Sequence, residues 1–230
     1  MIKKIFLLFF LFCFSCSSDG IISTEKTSFY KIYRNIIISD PASTPEKVKN
    51  EKTRYDQEWL SKFNQPIILL SSLDGKLAAT LVALGNYDNK LTWVSSDGIS
   101  VSFSNGILVA TRGYSQDLME SKQSALGVFF KSPSRNHSKT YRYLNGENEY
   151  NEFKFSCTIT VEPNTAFSLL DLKLKTTKFI ESCISGYTAH VNEYYVLPET
   201  NIVLKSKQWV SKENGYLLIY NYYAFQENLS

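Results

Sequence analysis

Of the side chains able to do chemistry, Cys157 and Cys183 come first. In an oxidising compartment an even pair of cysteines behind an export leader predicts a disulfide. It would close a loop of about 26 residues, worth roughly 3 kcal/mol in the chain-entropy model. Two buried free thiols are the alternative. Zinc binding is not expected, because neither cysteine has a CxxC neighbour and His190 follows Cys183 by seven residues, an unhelpful spacing along one strand. The two histidines are expected at the surface: His137 lies in a polar stretch after Arg135-Asn136, and His190 alternates with Asn192 and Tyr194. Gly113-Tyr114-Ser115 lacks the second glycine of a nucleophile elbow. Asp74-Gly75-Lys76 lacks the glycine spacing of a phosphate loop and predicts a hairpin turn. The acidic residues are scattered, and a glycosidase pair held roughly 5–9.5 Å apart across a cleft would leave no spacing signal on strands. Trp93, Trp209, Tyr220 and Tyr222 carry flat faces suited to stacking on sugar rings. Core or cross-strand packing is the alternative use of aromatics on strands. No residue set specifies a reaction, so no catalytic residue, metal or cofactor is assigned and the chain is expected not to be an enzyme.

Ahead of these residues stands a leader. Lys3 and Lys4 precede an unbroken apolar run, Ile5 to Phe14, and then Ser15-Cys16 opens a polar stretch. A span across hydrocarbon needs roughly 20 apolar residues, so a run half as long suits a signal peptide. The small residue before cysteine resembles the cleavage box of bacterial lipoproteins. Residues 1–15 are therefore expected to be a signal peptide, Cys16 the lipidated residue, 16–29 a tether and 30–230 a single β-rich domain. Cys13 sits where that box has Leu, but it follows bulky Phe12, so Cys16 is the better acceptor. Acyl chains contribute about 0.8 kcal/mol per buried methylene, so two or more hold a protein durably on a bilayer. An ordinary secretory peptide cleaved nearby is the alternative. Ser17, by resemblance to enterobacterial sorting rules, directs the lipoprotein to the outer membrane.

The elements that must position the domain's side chains are mostly strands. The leader takes two of the 25 bases and none of the 22 acids, which leaves the remaining chain at +1. So even a balance gives no electrostatic case for nucleic acid. A helix is expected near 45–61: Thr44 caps it, Pro45 fits its first position, and Val48, Tyr55 and Trp59 recur at helical spacing. Tyr30 to Ile38 suits a first edge strand. After Pro66 the apolar period becomes two, and Asp74-Gly75, Asp88-Asn89, Asp97-Gly98, Asn105-Gly106, Asn145-Gly146, Pro163-Asn164 and Asn214-Gly215 punctuate the chain as turns. Residues 114–138 lose the pattern and are expected to form a long excursion. Phe153, Phe155, Cys157, Ile159 and Val161 alternate strictly with polar residues, which places Cys157 on a buried face. The strand near 166–174 follows the Pro163-Asn164 turn, and the last one runs from Tyr216 to Phe225. The fold class expected is all-β and mainly antiparallel: a closed or partly open meander barrel or sandwich of ten or more strands, since so long a meander must hide its edges.

Several of these segments are similar to one family. Val82-Ala83-Leu84-Gly85, Leu91-Thr92-Trp93-Val94-Ser95-Ser96-Asp97-Gly98 and Asn105-Gly106-Ile107-Leu108-Val109-Ala110-Thr111 resemble the YjbF/GfcB-type group 4 capsule polysaccharide lipoproteins. So do Asn192-Glu193-Tyr194-Tyr195-Val196 and Val203 to Gln208. Ile107 stands where the family has Arg, and Tyr194-Tyr195 where it has Phe-Trp. The resemblance implies a barrel-like antiparallel fold and an outer-membrane lipoprotein accessory to capsule or exopolysaccharide assembly or export. It carries no catalysis onto these residues. The expected mode of action is binding, to polysaccharide or to polysaccharide-export proteins, with the lipid holding the domain at the periplasmic face. An envelope carrier of an apolar ligand in a barrel cavity and a polysaccharide-modifying enzyme are the two other functions considered. A filled barrel favours the first function, a wide apolar cavity the carrier, and a cleft with two perturbed carboxylates the enzyme.

Overall fold

A computed structural model describes residues 57–124, 129–131, 133, 135–144, 149–170 and 172–226. The leader, Cys16, the tether, the Tyr30–Ile38 strand, the first part of the 45–61 helix and the Asn145-Gly146 turn lie outside them. The end of that helix is present as α1 (Gln57–Ser61). Twelve strands follow: β1 (Ile67–Ser72), β2 (Ala78–Tyr87), β3 (Lys90–Val94), β4 (Ser100–Ser104), β5 (Ile107–Arg112), β6 (Leu118–Gln123), β7 (Asn136–Leu144), β8 (Tyr150–Leu169), β9 (Leu172–Ser185), β10 (Thr188–Val196), β11 (Val203–Ser211) and β12 (Gly215–Asn221). A short α2 (Tyr223–Gln226) closes the described chain.

The strands form one antiparallel sheet in the order β5-β4-β3-β2-β1-β12-β11-β10-β9-β8-β7-β6. It is a meander joined through its first and last strands, β1 and β12, with Leu70 opposite Ile219. The sheet curls into a nearly closed barrel. The remaining seam, between β5 and β6, is bridged by side chains at one end. Leu118 N–H donates to Thr111 Oγ1 at 2.9 Å, and Arg112 Nη1 donates to the Leu118 carbonyl at 3.1 Å. Side chains thus close one end of the seam, while a hollow of about 780 Å³ lined by Val109, Ala110 and Met119 lies along the rest.

Three sequence expectations are corrected here. The excursion at 114–138 contains strand β6. A bulge between Leu118 and Glu120 offsets its alternation, so the buried residues Leu118 and Ser121 fall three apart and the period of two is masked. Pro163-Asn164 is not a turn but a bulge inside the long β8, where the register shifts between Glu162 and Thr165 and Asn164 takes φ +57°. A bulge tolerates a residue without an N–H. The chain reverses instead at Leu170, also at positive φ, so the segment 166–174 spans a hairpin tip. Lastly, the strand begun at Tyr216 stops at Asn221, and Tyr223 to Gln226 turn into α2.

Alternation sorts the apolar side chains onto two faces. Leu81, Trp93, Leu118, Tyr141, Phe155, Trp209 and Leu217 fill the barrel. On the opposite face of β1 and β2, Leu60 of α1 packs with Ile67, Phe167, Leu204, Tyr222 and Phe225. Trp59 lies edge-on to Tyr222 at 5.7 Å, which fixes the helix against the sheet.

The Asn105-Gly106 turn shows how tightly the mouth is built. Both residues take positive φ, +50° and +78°, as a two-residue primed turn demands. Gln208 ties this turn across the barrel, donating from Nε2 to the Gly106 carbonyl at 2.9 Å and accepting from Leu108 N–H at 2.7 Å. A Cβ on Gly106 would stand 2.3 Å from Val203 Cγ2. Gly106→Ala should therefore lower stability by about 2–4 kcal/mol, the sum of left-handed strain and overpacking. Urea denaturation reads this directly, and a loss below about 0.5 kcal/mol would refute the packing described.

Candidate functional site

Successive hairpins of a meander place their turns at alternate ends. The β2–β3 turn, the β4–β5 turn and the β10–β11 connection thus meet at one mouth of the barrel. There they enclose a cleft of about 270 Å³. Its floor is apolar: Ile68, Trp93, Phe103 and Ile219. Its rim carries amides: Asn86 at the end of β2, Asn89 and Asn105 in the two turns, and Asn221 at the end of β12. Tyr223 of α2 lies beside Trp93, ring centroids 6.4 Å apart. A second hollow of about 370 Å³ shares Leu91, Asn105, Asn221 and Tyr223 and runs on to Thr200 and Lys131. No described carboxylate lines either hollow. Lys205, the one cation lining the first, lies over Tyr220 at 5.0 Å and Tyr195 at 5.6 Å. Asn221 already gives Nδ2 to the Val203 carbonyl at 3.0 Å and takes the Ala224 N–H at 3.4 Å; an amide carries both donors and an acceptor, so the exposed Asn86 and Asn89 suit a neutral polyhydroxylated ligand, and the aromatic floor suits its less polar face.

The four aromatics singled out from sequence are not brought together. Trp93 is buried but lines the cleft floor. Tyr220 is half-buried with the Lys205 ammonium on its ring. Trp209 is a core residue: His190 stacks on it at 4.4 Å, and Tyr141 and Phe155 meet it edge-on. Tyr222 is buried against Trp59. Trp209 and Tyr222 thus have no ring face left for a sugar, because cross-strand and inter-element packing has used them. Of the rim asparagines, Asn89 and Asn105 stand out in the sequence only as turn residues, and Asn86 and Asn221 do not stand out at all. Hairpin parity was the signal that would have gathered them at one end.

A second constellation occupies the barrel interior. Glu181 of β9 is fully buried. Its Oε1 lies 2.7 Å from His137 Nε2, and its Oε2 accepts from Lys139 Nζ at 2.9 Å, Asn192 Nδ2 at 2.7 Å and Tyr194 OH at 3.1 Å. Burial alone would push this carboxyl up, but the Lys139 charge and the hydrogen bonds from His137, Asn192 and Lys139 outweigh it and hold Glu181 well below the ordinary carboxylate range. Asn192 also accepts from Trp209 N–H at 2.7 Å, which links the cluster to β11. Glu181 is the one buried carboxylate among the described residues, and four donors already claim it. That is not the pair of carboxyls a glycoside hydrolase needs.

Both histidines are buried rather than at the surface, which corrects the sequence expectation. His137 has 3 % of its side chain exposed and His190 is 2 % exposed as a residue. His190 Nε2 is 3.3 Å from Tyr141 OH. Cys157 and Cys183 face each other as a direct cross-strand pair and form the expected disulfide, S–S 2.00 Å.

Burial makes the stability of this interior depend on pH. Loss of hydration, with Lys139 nearby, lowers the His190 pKa to about 4. The unfolded chain binds that proton near pH 6.5, so the folded state loses stability as pH falls from about 6.5 to about 4. The expected loss from His190 alone is about 3 kcal/mol. Glu181 acts in the same sense at lower pH: its depressed pKa stabilises the fold above the unfolded carboxyl value and the contribution fades as pH drops below it. Denaturation midpoints measured at pH 7, 5.5 and 4 should fall steadily, and His190→Gln should flatten the part above pH 4.5. An unchanged slope in that variant would contradict this assignment.

Comparison with known proteins gives these features a setting. A family model described as group 4 capsule polysaccharide lipoprotein GfcB, YjbF matches residues 27–220. A solved structure of the hypothetical lipoprotein YmcC from Escherichia coli (K12) superposes with a TM-score of 0.60 at 12 % identity, covering 73 % of this chain and 88 % of that one. That likeness shows the fold. A search of curated proteins finds no match. With a match running through the barrel from before α1 to the last strand, the chain belongs to the group 4 capsule polysaccharide lipoprotein family, GfcB/YjbF.

Proposed function

We propose that this chain is an outer-membrane lipoprotein, anchored through Cys16 at the periplasmic face, that aids capsule or exopolysaccharide assembly or export by binding the polysaccharide. The observation that carries this reading is the cleft at the barrel mouth, where four asparagines ring a floor containing Trp93, with Tyr223 beside it. Amides and a flat ring without a carboxylate suit a binding site for neutral sugar hydroxyls better than a hydrolytic one. A barrel filled by Tyr141, Phe155, Trp209 and the Glu181 cluster leaves little room for the apolar ligand of a carrier. Membership of the group 4 capsule polysaccharide lipoprotein family supplies the link to capsule.

Deleting the gene tests the reading. Surface polysaccharide should fall at least tenfold, and the wild-type gene should restore it. A chain with Asn86→Ala and Tyr223→Ala should restore it poorly while folding normally, and Cys16→Ala should fail because the domain leaves the membrane. Undiminished polymer on the deletion strain would refute the proposal. Full rescue by the Asn86→Ala, Tyr223→Ala chain would move the binding site elsewhere.

A further inference from the structure

The two hollows at the barrel mouth are parts of one groove. Leu91, Asn105, Gly106, Val203, Asn221 and Tyr223 line both. The near part, about 270 Å³, ends among the exposed Asn86 and Asn89. The far part, about 370 Å³, ends at the exposed Lys131 and Thr200. The shared waist between them is more covered: Val203 is buried, and Gly106, Asn221 and Tyr223 are half-buried. The waist is also fixed. Gly106 lies so close to Val203 that a Cβ would not fit between them. Asn221 Nδ2 donates to the Val203 carbonyl at 3.0 Å, and Gln208 Nε2 donates to the Gly106 carbonyl at 2.9 Å. The β4–β5 turn, the start of β11 and the end of β12 are tied together there, so the passage does not wait on a moving loop. A site already in its bound shape loses less free energy on binding.

We infer that, given the polysaccharide binding proposed above, this groove holds an internal stretch of the chain, several sugar units long, rather than a chain end or a single sugar. A pocket that recognises a terminus needs a wall for the last unit to meet. Here both ends open among exposed polar side chains, and the covered part lies in the middle. The lining also repeats. Polar groups recur along the path: Asn86 and Asn89 in the near part, Asn105 at the waist, Thr200 in the far part. Rings recur beside them: Trp93 in the near part, Tyr223 at the waist, Phe129 and Phe130 in the far part. Amides and hydroxyls suit sugar hydroxyls, and rings suit the less polar sugar faces. The same two kinds of contact in both parts match a ligand that itself repeats. Each added unit gains contacts until the groove is full, and units beyond it gain none.

The probe is the surface polysaccharide of wild-type cells, cut by partial acid hydrolysis and sorted by length. Titration calorimetry with the mature chain in detergent reads the affinity of each fragment. Affinity should rise at least tenfold from the disaccharide to the fragment that fills the groove, and then level off. Reducing the end sugar of the long fragment to its alditol should leave its affinity unchanged. Thr200→Trp and Lys131→Trp each put a large ring in the far part, and each should cut the long-to-short affinity ratio at least fivefold. Near-ultraviolet circular dichroism checks that both variants keep the barrel. Equal affinity for the disaccharide and the long fragments would overturn the inference while leaving polysaccharide binding in place. Loss of long-fragment binding on reduction of the end sugar would do the same, because it means recognition of a terminus. So would a ratio that both folded tryptophan variants leave intact. Binding of no fragment of any length would overturn polysaccharide binding itself, and this inference with it.

Discussion

Replacing Glu181 by glutamine should lower stability by about 3–5 kcal/mol, the largest effect of a single substitution in this barrel. The carboxylate is fully buried and Lys139, 2.9 Å away, is 2 % exposed. Removing the negative partner leaves an ammonium in the interior without its counter-charge, and that penalty is of this size. It also weakens acceptors for Asn192 and Tyr194, which fasten β10 to β9. With a total stability of order 5–15 kcal/mol, much of the margin is gone. The companion experiment is a double replacement, Glu181→Leu with Lys139→Met. Removing both charges should return more than half of the loss, because an apolar pair of similar volume carries no desolvation penalty. Guanidinium denaturation of the three chains decides the matter. A Glu181→Gln chain within 1 kcal/mol of the wild type would mean that the charge is solvated.

The second large effect belongs to the disulfide. Replacing Cys157 and Cys183 together by alanine should cost about 3 kcal/mol, since the bond closes a loop with a sequence separation of 26 residues. The barrel should persist, because β8 and β9 still pair along their whole length, from Ser156 with Ile184 to Leu169 with Leu172. Reductant should destabilise the wild type by a similar amount and leave the alanine chain unchanged. Equal sensitivity of both chains to reductant would show that the bond contributes nothing.

Much of the barrel was legible from local chemistry. Asp88-Asn89 and Asn105-Gly106 take the positive φ angles of primed turns, and the strands on either side alternate as their sequences require. Cys157 lies on the buried face that its alternation with Ser156 and Thr158 implied. Where the reading failed, a bulge had shifted the period, as at Leu118 to Glu120 and at Glu162 to Thr165. A bulge adds one residue to one strand and flips everything beyond it to the other face, and composition carries little trace of it. The cleft was less legible than the sheet. Trp93 was noticed for its ring, but the amides around it come from β2, two turns and β12, and no short window contains them.

The chain's own sequence determined that strands would form, where most of them turn and which side chains of the strands face inward. Those properties arise within a few residues of each position, through φ preference and a period of two. The tertiary structure alone decided which strands became neighbours across long distances. It joined β1 to β12, left the seam at β5 and β6, and gathered the asparagines at one mouth. It also set His190 beside Cys183. Seven residues apart along the chain, they had looked poorly placed, yet a hairpin makes them direct partners. The physical reason is that alternation specifies a face, whereas register between strands is chosen by the packing of the whole core.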